Sequence, residues 1–199
     1  MKFLKNNSYD IVRFFIFQIG ITIFSMLLYT AIGVLEDAST QLLVKLVISL
    51  LSIVFYLALV YTVSWDYGAK DRIRAEGGKI QFDKLKGAKL ALFANVPNFI
   101  LALASIVFIL LYMLQLGEGW YAAFGISTMI LRLLASMYIG VLQAIFASFD
   151  NNVTISYLLQ TVGFLLLPML TVLASHVGYS FGDKNLKIFA FGGKSKKNK

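Results

Sequence analysis

The sequence predicts an all-α, polytopic transmembrane helical bundle of four spans plus a re-entrant or interfacial helical segment, with five full spans as the alternative. Three observations carry that expectation. Hydrophobic residues make up 59% of the 199-residue chain and charged residues 14%, against about 45–50% and about 25% in ordinary soluble domains, and the mean hydropathy is +0.78. Uncharged runs cover residues 14–35, 46–65, 90–117 and 151–182, and each reaches the ~20 residues that a helix rising ~1.5 Å per residue needs to cross ~30 Å of hydrocarbon. The basic residues, finally, are gathered between these runs: three near the N-terminus (Lys2, Lys5, Arg13), seven in 66–89 and six from Lys184 onward.

The first span is placed at about 11–35. Its basic start imitates a signal peptide, but the apolar stretch exceeds the ~7–15 residues of a signal core, and Glu36-Asp37-Ala38-Ser39 offers no small-x-small cleavage site. It reads as a retained span. The second covers about 43–65 and continues into a link, 66–89, that divides at Gly77-Gly78, because glycine is a poor helix former and accepts turn geometry. Before that break Asp66/Lys70 and Asp71/Arg74 have the spacings of a solvated helical extension. After it, residues 80–86 mix apolar and basic side chains as a short interfacial lead-in would. The third span is 90–114, with a kink expected at Pro97, and the last is 153–179, around Pro168. Residues 184–199 form a basic tail, and 1–183 the bundle.

The stretch 120–149 poses a conflict. Positive-inside bias puts the N-terminus, link and tail in the cytoplasm and the acidic loops 36–40 and 115–119 outside. A full crossing at 120–149 would carry the tail's six lysines to the outer face, whereas a re-entrant or interfacial segment keeps them inside.

Trp65-Asp66-Tyr67-Gly68-Ala69-Lys70-Asp71-Arg72 and Gly178-Tyr179-Ser180-Phe181-Gly182-Asp183-Lys184 resemble parts of small uncharacterised multispanning membrane proteins of low-GC Gram-positive bacteria. The excess of lysine over arginine points the same way. That resemblance implies a bacterial cell membrane and no particular activity.

Several chemistries are excluded on residues. Without cysteine and with one histidine, disulfide frameworks and Cys/His metal sites are ruled out. Gly192-Gly193-Lys194-Ser195 lacks the glycine that a phosphate-binding loop needs, since Ile188 stands there. Ser180-Phe181-Gly182-Asp183 has a serine where intramembrane aspartyl proteases carry the first glycine. Asn152-Val153-Thr154 is a glycosylation acceptor only in a secretory pathway. His176 has no carboxylate three or four residues away and reads as an interfacial polar group. No catalytic residue, metal or cofactor is assigned.

The spans carry polar stripes at helical spacing: Gln18, Thr22, Ser25, Tyr29 and Gly33; Lys45, Ser49, Ser52 and Tyr56; Ala91, Asn95, Asn98, Ala102 and Ser105; Gln160, Gly163, Thr171, Ser175 and Gly178. Helix packing accounts for such rows, since small residues admit close approach and hydroxyls bond across the seam; a polar pathway is the functional alternative. The segment 120–149 has its own row, Gly125, Thr128, Arg132, Ser136, Gly140, Gln143 and Ala147. Arg132 is the residue to watch, because a guanidinium at membrane depth costs at least about 2.5–3.5 kcal/mol and by default marks a ligand or ion path. Arg132, Asn95, Asn98 and Gln143 are the candidate pathway or anion contact. Gln143, Asn98, Glu118, Asp150 or an external anion are its candidate partners; an interfacial anchor that snorkels to the headgroups is the alternative role. Lys70, Arg72, Arg74, Lys79, Lys84, Lys86 and Lys89 form a candidate basic membrane-surface patch.

The function expected from these features is that of a non-enzymatic membrane component, a small permease-like unit or an accessory subunit of a transport complex. The alternative is an interaction protein docking a cytoplasmic partner or anionic lipid through its basic link and tail. A lipid-modifying enzyme ranks last, because Asp66, Asp71 and Asp83 have basic neighbours that explain them. Expected partners are the bilayer, anionic headgroups and other membrane subunits or further copies of the chain; nucleic acid is not among them, because the basic residues lie between apolar runs.

Overall fold

The computed structural model describes residues 2–32, 37–146 and 153–186; Glu36, the glycosylation triplet's Asn152, Asp150 and the lysine tail beyond 186 lie outside them. All regular structure among the described residues is helical. The order is α1 (Lys2–Ile32), α2 (Ala38–Glu76), α3 (Lys86–Ala94), α4 (Val96–Met113), α5 (Gly119–Leu134), a 3-10 turn at Ser136–Tyr138, α6 (Ile139–Phe146), α7 (Val153–Leu166) and α8 (Pro168–Asp183).

Local chemistry sets the breaks. Asp37 caps α2 by accepting from the Thr40 amide at 2.7 Å, and the helix stops at Gly77, followed by Gly78 at φ +69, the left-handed region that glycine enters without penalty. The 39 residues of α2 therefore include the helical extension anticipated for the first half of the link. The third span is divided at Asn95, because Pro97 has no amide to continue the ladder. Pro168 opens α8 after the same kind of interruption at Leu167.

Four helical stretches are long and apolar enough to cross a membrane, Phe3–Ile32, Ala38–Glu76, Val96–Met113 and Thr154–Asp183, and α5 with α6 forms a pair bent by 88°. Polarity is distributed as a bilayer requires. Ile16, Phe24, Leu51, Val54, Ile100 and Leu173 point outward, while Gln18, Ser25, Ser49, Ser64, Asn98, Ser105 and Ser175 are buried.

Contacts fix the direction of each element. Helix α1 runs antiparallel to α2, with Phe14 beside Tyr67 and Ser25 bonded to Ser52 at 2.9 Å. Helix α8 runs parallel to α2 along a seam where Gly68 lies against Tyr179, Gly178 against Tyr61 and Gly182 against Trp65. A Cβ on Gly182 would collide with the Trp65 carbonyl oxygen, so the glycine sets the approach. Helix α3 starts at the same end as the α8 C-terminus, where Ser175 donates to the Gly87 carbonyl at 2.7 Å. Helix α4 therefore ends at the far end, where Tyr112 and Glu118 share a hollow with Thr154.

These directions resolve the conflict over 120–149. Helix α5 departs from the far end, with Trp120 stacked on Phe108 and Tyr121 against Tyr112. Sixteen residues reach only about 24 Å, and after the bend α6 returns beside Lys45, until Phe146 shares a hollow with Ala38 and Gln41. Both ends of the bent pair lie at one end of the bundle. The pair is re-entrant, and the described ends of the chain, Lys2 and Leu186, lie together at the other, basic end. One expectation is corrected here: the row from Gly125 to Gln143 does not share one helical face, because the helix breaks at Ala135, and its last member, Ala147, lies outside the described residues.

Candidate functional site

Non-helical backbone inside a bilayer must find its hydrogen bonds within the protein, and the α5–α6 turn does so through residues of the polar stripes. Gln18 Nε2 and Thr22 Oγ1 of α1 both donate to the Leu134 carbonyl, at 3.0 and 3.1 Å. Ser136 donates to the Thr22 carbonyl at 2.8 Å, and Ser49 of α2 donates to the Met137 carbonyl while accepting from the Val141 amide. Four stripe residues are thus committed to holding the turn.

Arg132 stands half-buried in the last turn of α5. Its Nη2 donates to Gln160 Oε1 of α7 at 3.1 Å, and its guanidinium carbon is 5.6 Å from the centre of the Tyr157 ring. Gln160 Nε2 in turn donates to Ser156 Oγ at 3.4 Å. The partner is therefore none of Gln143, Asn98 or Glu118; Asp150 lies outside the described residues. Among the described residues no carboxylate comes within ion-pair distance of Arg132 or of Lys45, which stands two turns into α2.

Two hollows meet at this arginine and glutamine. One of about 390 Å³, between α1, α5 and α7, is lined by Arg132 with Met26, Thr128, Met129, Ser136 and Tyr157. The other, of about 400 Å³, opens at the far end between α2, α6 and α7, where Gln41, Lys45, Gln143, Ser156 and Gln160 face it. Arg132 and Gln143 of the anticipated set thus fall on two sides of Gln160. Asn95 and Asn98 do not join them. Both are fully buried at the α3–α4 break, where Asn95 Nδ2 donates to the Ala91 carbonyl at 2.9 Å and Asn98 Nδ2 to Asn95 Oδ1 at 3.1 Å. They close a break, and the structure does not bring them to Arg132.

The basic patch is also reshaped. Lys70 pairs with Asp66 at 2.6 Å, Arg72 with Glu76 at 2.6 Å and Asp183 at 3.3 Å, Lys86 with Asp71 at 2.7 Å and Lys89 with Asp83 at 2.7 Å. Asp71 is almost fully buried and also accepts from the Tyr179 hydroxyl at 3.0 Å, so it belongs to Lys86 and not to Arg74. Burial raises the Asp83 carboxyl, but hydrogen bonds from Lys89 and the Leu85 amide outweigh it and hold the group below its ordinary value. Arg74, Lys79 and Lys84 remain exposed at this end.

Two features escaped sequence reasoning. Gln160 stood in the stripe of the last span, but only the parallel packing of α7–α8 on α2 brings it level with Lys45. Tyr138 was not singled out; it is buried with Tyr56 around the Thr171 hydroxyl in the core. No three His, Asp or Glu side chains converge as metal ligands among the described residues. No family model, curated protein or solved structure matches the chain.

Proposed function

We propose that this chain is a small permease-like unit, or an accessory subunit of a membrane transport complex, in a bacterial cell membrane, with its basic end in the cytoplasm. The observation that carries the reading is the re-entrant α5–α6 pair, which brings irregular backbone and a guanidinium without a carboxylate partner among the described residues to membrane depth. Backbone breaks at that depth occur where they are buried in protein or line a cavity, and open hollows flank Gln160 on either side. The positive-inside bias of Lys2, Lys5, Arg13 and the 66–89 link supports the orientation. The resemblance of 65–72 and 178–184 to proteins of low-GC Gram-positive bacteria supports the membrane. No catalytic role is part of the reading.

Single cysteines introduced into the cysteine-free chain test the topology. Leu116→Cys should react with an impermeant maleimide added outside intact cells, while Lys79→Cys and Lys184→Cys should react only after permeabilisation. Labelling of Lys184→Cys from outside would establish five crossings and remove the re-entrant pair. Reconstituted into liposomes, the protein should pass small solutes at a rate that Arg132→Gln changes; a flux identical to that of empty liposomes, alone and with co-expressed membrane subunits, would end the transport reading.

A second reading has its own observation. Arg74, Lys79 and Lys84 are exposed and form no ion pair among the described residues, which suits docking of an acidic cytoplasmic partner or anionic headgroups. Capture of such a partner should weaken with salt and with the triple change to glutamine.

A further inference from the structure

Sixteen of the 18 lysines and arginines lie in the three basic segments; Lys45 and Arg132 are the other two. The fold brings this pair, 87 positions apart in sequence, to opposite sides of one glutamine. Arg132 occupies Gln160 Oε1, so the Gln160 amide is oriented with Nε2, which donates to Ser156 Oγ at 3.4 Å, toward the side where the far-end hollow lies. That hollow also receives Lys45, Gln41 and Gln143. An ammonium, a hydroxyl and three amides thus face one space from α2, α6 and α7, with no carboxylate among the described residues of its lining. The guanidinium behind Gln160 adds a second positive charge in a region of low dielectric.

We propose that this hollow binds a phosphate group. Several donors arriving from three helices suit the many acceptor oxygens of a tetrahedral oxyanion, and charge-assisted bonds to phosphate are about twice as strong as neutral ones. Lys45 contacts the anion; Arg132 positions Gln160 and contributes charge from behind. The proposal rests on the reading of the bundle as a passage and names the class of solute it takes. The same chemistry would hold a free phosphate or the headgroup of an anionic lipid entering from the far-end interface.

The experiment uses the full chain in phosphatidylcholine nanodiscs, titrated calorimetrically with inorganic phosphate. Saturable binding is expected, weakened about tenfold or more by Lys45→Gln, restored by Lys45→Arg, weakened by Gln160→Leu and by Arg132→Gln, and unchanged by Lys79→Gln at the basic end. In phosphatidylglycerol nanodiscs, native mass spectrometry tests the other source: a retained lipid lost in Lys45→Gln, with no binding of free phosphate, supports the phosphate site and assigns it to a headgroup. Binding of neither, or binding of either that ignores Lys45 and Gln160, overturns the site. Liposome flux separates this from the transport reading. Phosphate binding that depends on Lys45 without any flux leaves the site and removes the passage, whereas phosphate flux unaffected by Lys45→Gln leaves the passage and removes the site.

Discussion

At the basic end of the bundle Lys86 reaches Asp71 and Lys89 reaches Asp83, whereas toward the far end Arg132 is met by a glutamine amide and Lys45 shares a hollow with two more. Both ends hold cations partly removed from water, but they answer the charge differently. A carboxylate neutralises the cation and uses up its field; the pair is then a structural joint, costly to break. An amide satisfies hydrogen bonds and leaves the charge standing. At the basic end Lys70, Arg72, Lys86 and Lys89 are matched by carboxylates, whereas Arg132 and Lys45 toward the far end have no carboxylate partner among the described residues.

The largest effect expected from this contrast is at Asp71. Asp71→Ala strands the half-buried Lys86 ammonium and removes the acceptor of the Tyr179 hydroxyl, and loss of one partner of a buried pair costs about 3–5 kcal/mol. Thermal denaturation in detergent should show a large fall in Tm, against a small one for Arg132→Gln, whose bond to Gln160 is of a kind worth about 0.6–2 kcal/mol between membrane helices. The reverse order would break the comparison. Next in size is Gly182→Leu, which pushes α8 off Trp65 and loosens the same end; overpacking of this kind costs about 1–3 kcal/mol. Its readout is faster proteolysis between α2 and α3 together with a lower Tm.

The smallest effect is a pH dependence at Asp83. Its folded carboxyl lies below the unfolded value of about 4, so its contribution is present above that value and is lost as pH falls through the folded one. Tm measured from pH 6 to pH 3 should decline, and Asp83→Asn should flatten the acidic part of the decline. A variant as acid-sensitive as the parent would detach Asp83 from the matching at this end.

Much of the fold was legible because bilayer thickness translates directly into run length. The four runs, the Gly77-Gly78 stop and the proline interruptions all follow from local chemistry. The stretch 120–149 was not settled by composition, since apolar residues suit a crossing and a re-entrant pair equally; the decision rests on where α5 and α6 end in space. The stripes showed which faces turn inward, but not what each residue does there. Gln18, Thr22 and Ser49 serve the α5–α6 turn, Asn95 and Asn98 serve the α3–α4 break, and Gln160 is drawn to Arg132. Spacing along one helix cannot distinguish these tasks, because the partner is supplied by another. The choice of Lys86 over Arg74 by Asp71 escaped for the same reason.

The parallel seam of α2 and α8 bears on how the protein is made. Ser64 and Ser175, bonded at 2.8 Å, are 111 residues apart in the chain, so the second crossing helix is synthesised long before the one that seals its glycine face. The α1–α2 hairpin can assemble at once, since Ser25 and Ser52 are close in sequence. Gly68 meets Tyr179 only across this long separation, and non-local closure of this kind is slow. The flank of α2 that Gly178 and Gly182 fill is thus covered by the last crossing helix to be made.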